Sequence, residues 1–227
     1  MNKKGFVWVL LALVAFLWGI SFLAIKIALD YCEPMELLAV RWPIAALIFI
    51  VLIATGVLKV NLKGKPIWKL GLLALIQPCL YAIFEILGVK YTTTSEASVF
   101  LSLVPVMIII LSAIFLKEHY SKKIKMAVFI ALLGVVIITV FGPDFSLSGD
   151  NRGYLFLLFT ITSGASYNLI VKQLDKEFSS IEMSLAMCVS GAICFNIISL
   201  IQGNGIHPYT LLFTDINFAM PTLFLGI

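Results

Sequence analysis

Seven stretches of about twenty mostly apolar residues follow one another along this chain, each long enough to cross the roughly 30 Å hydrocarbon layer of a bilayer as a helix. They run Phe6 to Ala28, Met35 to Val57, Ile67 to Val89, Ser95 to Leu116, Ile124 to Phe141, Gly153 to Val171 and Ile181 to Ile201. An eighth begins near Phe218 and reaches Ile227, about half the length a span needs. In hydrocarbon every backbone group must be satisfied within the protein, so runs of this length are read as helices. The expected fold is an all-α polytopic membrane protein. Composition agrees: 61% of the 227 residues are hydrophobic and 12% charged, where a soluble domain carries about 25% charged residues. Lys3 and Lys4 before an apolar run would also open a signal peptide, but the run is too long and no small-residue cleavage site follows it.

The formal charge of +4 reflects sidedness. With the N-terminus inside, Lys3, Lys4, Lys59, Lys63, Lys65, Lys69, Lys117, Lys122, Lys123, Lys125, Lys172 and Lys176 are cytoplasmic, leaving Lys26, Arg41, Lys90 and Arg152 elsewhere. The opposite loops collect Asp30, Glu33, Glu36, Glu96, Asp144, Asp150 and Asp215. A multi-pass protein of the cytoplasmic membrane with a cytoplasmic N-terminus is expected. No basic stripe lies on a polar surface, so no nucleic-acid partner is expected. Cys32, Cys79, Cys188 and Cys194 have no metal spacing, and His119 and His207 fall in loops on opposite faces. Neither a metal nor a cofactor is expected.

The chain repeats itself weakly. A shift of 145 places Leu10 on Leu155, Leu13 on Leu158, Gly19 on Gly164, Ser21 on Ser166, Phe22 on Tyr167 and Leu29 on Leu174; a shift of 146 places Glu36 on Glu182, Ala46 on Ala192 and Phe49 on Phe195. First and sixth spans match, then second and seventh, in order. Five helices is an odd number, so a second copy enters the membrane from the other side, the inverted-repeat design of secondary transporters with a site near the midplane. The domains expected are a first five-helix repeat, 1–145, and an incomplete second one, 146–227.

Several stretches together resemble the EamA-type members of the drug/metabolite transporter superfamily. The first span carries Trp18-Gly19-Ile20-Ser21-Phe22 and then Ile25-Lys26, followed by Glu33-Pro34 and by Arg41 at the opening of the second. The third-to-fourth junction reads Tyr91-Thr92-Thr93-Thr94-Ser95-Glu96-Ala97-Ser98 and runs into Leu101-Ser102-Leu103-Val104-Pro105. Phe115-Leu116-Lys117-Glu118 ends the fourth span, and Gly134-Val135 lies in the fifth. The resemblance implies ten helices in two five-helix repeats and export or exchange of small organic solutes. Ser163 stands where the first repeat has Trp18, and the rest of the eighth helix with the ninth and tenth is absent, so the sequence is expected to be a truncated form of a longer protein.

Polar groups inside hydrocarbon need a reason. Gln77, Tyr81 and Glu85 recur every four residues, sharing one side of the third span, and Pro78 loosens the helix there by removing a backbone donor. This stripe is expected to line a cavity, with Glu85 as the coupling group, either titrating or held in a static ion pair with Lys26 or Arg41. Trp18 and Ser21 in the first span, and Tyr167 and Asn168 in the sixth, are the other substrate-binding candidates. A buried indole N–H or amide needs a partner, whereas Gly19, Ser21, Gly164 and Ser166 also fit close helix approach. Ser95, Ser98, Ser102, Pro105, Ile109 and Ser112 form a small-residue seam expected to pack against another helix. Glu118 is expected to anchor its loop through Lys122 and Lys123. The partners are then a small-molecule substrate and membrane lipids, with a homodimer left open. A channel or assembly subunit, or a non-transporting fragment, are the alternatives. An intramembrane enzyme fits least, because both His lie in loops and no Asp falls within a span.

Overall fold

The computed structural model describes residues 3–141 and 149–226; Asp144 and Ile227 lie outside them. Among the described residues there are nine helices and no strand. They are α1 (Lys3–Ala28), α2 (Pro34–Ala54), α3 (Trp68–Tyr91), α4 (Thr94–Phe115), α5 (Lys122–Val140), α6 (Asn151–Leu174), α7 (Ser180–Ile201), α8 (His207–Thr214) and α9 (Ile216–Gly226). α1, α2, α3, α4, α6 and α7 are long and apolar enough to cross a membrane, so the chain is an all-α polytopic membrane protein. α5 stands where the fifth span was expected, and its 19 residues reach roughly 28 Å. The short helix α8 was not expected, and α9 starts two residues ahead of Phe218.

The helix starts follow local chemistry. α2, α4 and α7 each open with a capping box in which Glu36, Glu96 or Glu182 at the third position accepts the backbone N–H of Glu33, Thr93 or Ser179. Such a box satisfies N–H groups that a helix start leaves without intrahelical partners. Proline breaks regularity twice. Pro78 lies in a π turn, Leu75–Tyr81, inside α3, and α4 is interrupted at Ser102 and Leu103, just ahead of Pro105.

Lipid tails are as apolar as Leu, so close fit and hydrogen bonds hold such helices together more than burial from water does. α2 packs on α7 and α9, α3 on α6 and α7, and α1 on α9. These five pairings are unchanged when α1, α2 and α3 are exchanged for α6, α7 and α9. The approaches are close at glycine. A Cβ on Gly191 of α7 would lie 2.7 Å from the Trp42 ring, one on Gly88 2.6 Å from Leu157, and one on Gly153 2.6 Å from Thr92. Trp42 also stacks on Phe195 at 6.3 Å. Trp8, Phe16, Leu47, Phe115 and Phe129 stay exposed on the outside, as suits a lipid-facing surface.

Candidate functional site

The third helix carries Gln77, Tyr81 and Glu85, and Glu85 is buried. Residues eight apart on a pure α-helix are turned about 80° from each other, since each residue adds about 100°. The i→i+5 bonding of the π turn slows that rotation, which brings Gln77 back toward the face that carries Glu85. Pro78 is the local cause: it has no N–H to donate, and its ring crowds the carbonyl four residues earlier.

On this face the Tyr81 hydroxyl donates to Glu85 Oε1 at 3.0 Å, and Glu85 is buried. Arg41 of α2 has its guanidinium 5.6 Å from the centre of the Trp42 ring. The Tyr81 ring reaches α6 at Gly164, where a Cβ would lie 3.0 Å from it. Gly164 therefore admits the Tyr81 ring as well as a neighbouring helix. Gln77 Oε1 is buried without a hydrogen-bond partner, as are Trp42 Nε1, Ser199 Oγ and Thr222 Oγ1. Leaving such an atom unpaired costs about 1–3 kcal/mol, so each of these atoms in α2, α3, α7 and α9 has capacity for one more hydrogen bond. Beside Gln77, Cys79 Sγ lies 3.3 Å from Cys194 Sγ of α7.

The other candidates do not join this face. Trp18 is 67% exposed, so its indole is not the buried donor expected. Ser21 donates to the Trp18 carbonyl at 2.6 Å and Ser166 to Thr162 at 2.8 Å, both within their own helices. Asn168 is exposed, and its amide is satisfied by the Gly164 carbonyl at 2.8 Å. Tyr167 packs against a separate cluster around Leu70, Leu73, Leu174 and Phe178. Lys26 is not the partner of Glu85. Its ammonium donates to the carbonyls of Val89 (2.8 Å), Lys90 (3.4 Å) and Thr92 (2.7 Å), closing the C-terminus of α3 where helix carbonyls lack partners and the dipole favours a cation.

The α4 seam is divided: Ser112 is buried and α4 packs on α6, but the other small residues are less covered. Ser95 and Ser98 are exposed, and Ser102 and Pro105 line an apolar cavity of about 260 Å³ with Ala127, Val128, Ala131 and Leu132 of α5. None of the α3 stripe lines it. Glu118 is bound by Lys172 at 2.5 Å and by Tyr120 at 3.0 Å, not by Lys122 or Lys123, and these bonds hold its carboxyl below the ordinary range. At the opposite end, burial and then the Glu36 and Glu33 charges push the Cys32 thiol up to about 12.

The two ends of the bundle are tied by contacts the sequence gave no sign of. At the lysine-rich end Glu182 accepts from Lys65 Nζ (2.6 Å) and Asn61 N (2.9 Å), and Lys69 pairs with Glu177 at 2.5 Å. At the acid-rich end His207 Nδ1 meets Glu36 Oε1 at 2.8 Å, Lys90 meets Glu33 at 2.7 Å, and Tyr154 donates to Glu96 at 2.6 Å. Tyr209 donates to Asn196 Oδ1 at 2.7 Å and to the Ala39 carbonyl at 2.9 Å. The offset between Glu36 and Glu182 was visible in the repeat, but their partners were not. No cluster of His, Cys, Asp or Glu able to hold a metal occurs among the described residues.

The chain is similar to the uncharacterized transporter YcxC of Bacillus subtilis, with 31% identity over 219 residues, covering 95% of this chain and 70% of that protein. It is similar also to an uncharacterized transporter of Archaeoglobus fulgidus, with 31% identity over 186 residues, covering 82% of this chain and 64% of that one. Residues 4–140 match the EamA-like transporter family. With apolar spanning helices, a match to the family that runs from α1 to α5, and relatives named as uncharacterized transporters, the chain belongs to the EamA-like transporter family.

Proposed function

We propose that the chain belongs to a secondary-active carrier of the cytoplasmic membrane, N-terminus inside, that moves a small organic solute by alternating access. Its first five-helix repeat would be residues 1–145, and residues 146–227 an incomplete second repeat in opposite topology. The exchange of α1, α2 and α3 for α6, α7 and α9 that leaves five helix pairings unchanged supports this reading. The observation that carries the site is the α3 face, where the Gln77 oxygen lacks a partner and Tyr81 bonds a buried Glu85 beside a π turn. Gln77 would accept a donor on the solute, Tyr81 would present an aromatic edge, and Glu85 would exchange a proton as the carrier turns. A channel is the reading to beat.

The test is counterflow in proteoliposomes under an imposed pH gradient. A carrier gives saturable exchange, and Glu85→Gln abolishes the response to the gradient while leaving exchange at equal pH. Unitary conductance in a planar bilayer would sink the carrier reading, and gradient-driven uptake unchanged in Glu85→Gln would sink the role of Glu85.

A further inference from the structure

Glu36 and Glu182 are twins in position and opposites in partner. Each is the buried third residue of a capping box, each opens one of the two helices that pack most intimately, α2 and α7, and each reaches across to the other half of the chain. Glu36 takes His207, which follows α7; Glu182 takes Asn61 and Lys65, which follow α2. One cross-tie therefore stands at each end of the same helix pair. The amino-acid difference is chemical: a lysine is charged at all physiological pH values, whereas an imidazole changes charge between about pH 5 and 8.

We propose that Glu36 and His207 form a proton-binding site separate from Glu85, which ties the acid-rich end of the bundle in acid and releases it as pH rises, while Lys65 and Glu182 hold the other end at any pH. This rests on the alternating-access reading, in which the two ends open in turn. The surroundings of His207 leave it free to act. It begins α8, which packs on α9 and α2. α9 has no titratable side chain, and α8 itself adds only Tyr209, whose hydroxyl is engaged with Asn196 and Ala39. α2 offers Glu36 and, deeper, Arg41; ahead of it stand Glu33, held by Lys90, and the Cys32 thiol, on which the Glu36 charge acts, and Asp215 closes α8 at its far end. His207 is 58% exposed and so can reach protons from solvent, whereas Glu36 is 6% exposed and keeps the pair from being fully screened. A protonated His207 donates to a carboxylate that also bonds the Glu33 N–H; a neutral one gives a weaker neutral hydrogen bond, and the cross-tie loosens.

Hydrogen–deuterium exchange on the protein in nanodiscs, corrected for intrinsic exchange, reads this without any transport. Between about pH 5.5 and 7.5, protection of residues 202–210 is expected to fall about fivefold while that of residues 58–66 holds, the scale of a partly exposed charge pair. His207→Lys is expected to keep 202–210 protected at both pH values, and His207→Gln to leave it loose at both. Equal pH responses at the two ends, or an unchanged response in His207→Lys, would overturn the proposal. Failure of counterflow would refute the carrier reading while leaving this exchange result standing.

Discussion

The α3–α6 seam and the α4–α5 seam use the same small and proline residues, and they come out differently. Along α3 and α6, Gly88, Gly153 and Gly164 each face a bulky partner on the other helix, and Phe84, Tyr91, Phe156 and Phe159 stack in a ladder with centroids 5.1–6.3 Å apart. Along α4 and α5, Gly134 has nothing within 4 Å, and Ser102 and Pro105 border the cavity. A small residue favours close packing only when a large one opposite fills the space it leaves. The first seam has such pairs, and it is also the one that positions Tyr81 and Glu85.

Three substitutions test that contrast through reversible unfolding in mixed micelles. Gly153→Leu carries the largest expected effect, a loss of about 3 kcal/mol, because the new side chain meets the Tyr91 backbone at 3.0 Å as well as the Thr92 methyl. A neutral result would mean that the two helices do not approach as described. Tyr154→Phe is expected to cost about 1–2 kcal/mol, the loss of a hydrogen bond to the Glu96 carboxylate, and no change would mean that the backbone N–H donors of Thr93 and Gly149 satisfy Glu96 without it. Gly134→Ala is the smallest, a gain of up to about 1 kcal/mol from helix propensity alone. A loss there would reveal that α5 is closely covered after all.

The spans were legible because hydrocarbon thickness sets a length that few other structures demand, and the pairing of Tyr81 with Glu85 because residues four apart share a helix face; Gln77 turns toward that face only through the π turn. Pro78 announced a weakened helix but not its form. The misreadings share a cause: polarity says that a group needs a partner without saying which one. Lys26 near a helix end had carboxylates in range of thought, and it took the bare carbonyls of α3 instead. Asn168 satisfied itself one turn back, and Trp18 was left outside. His207 was set aside as a solitary loop histidine because its partner lies 171 residues away, a separation that no local pattern encodes.

The π turn gives α3 a property that the straight helices lack. An i→i+5 segment holds about one residue more than an α-helix would use over the same rise. That surplus is a reserve of rotation: if the turn tightens to α, the half of α3 that carries Tyr81 and Glu85 must swivel against the half that carries Trp68 and Leu73. Lys26 clamps one end of this helix and Lys69, through Glu177, clamps the other, so any such twist is confined to the middle, where Gln77 sits. α3 is built as two fixed handles joined by a torsional joint.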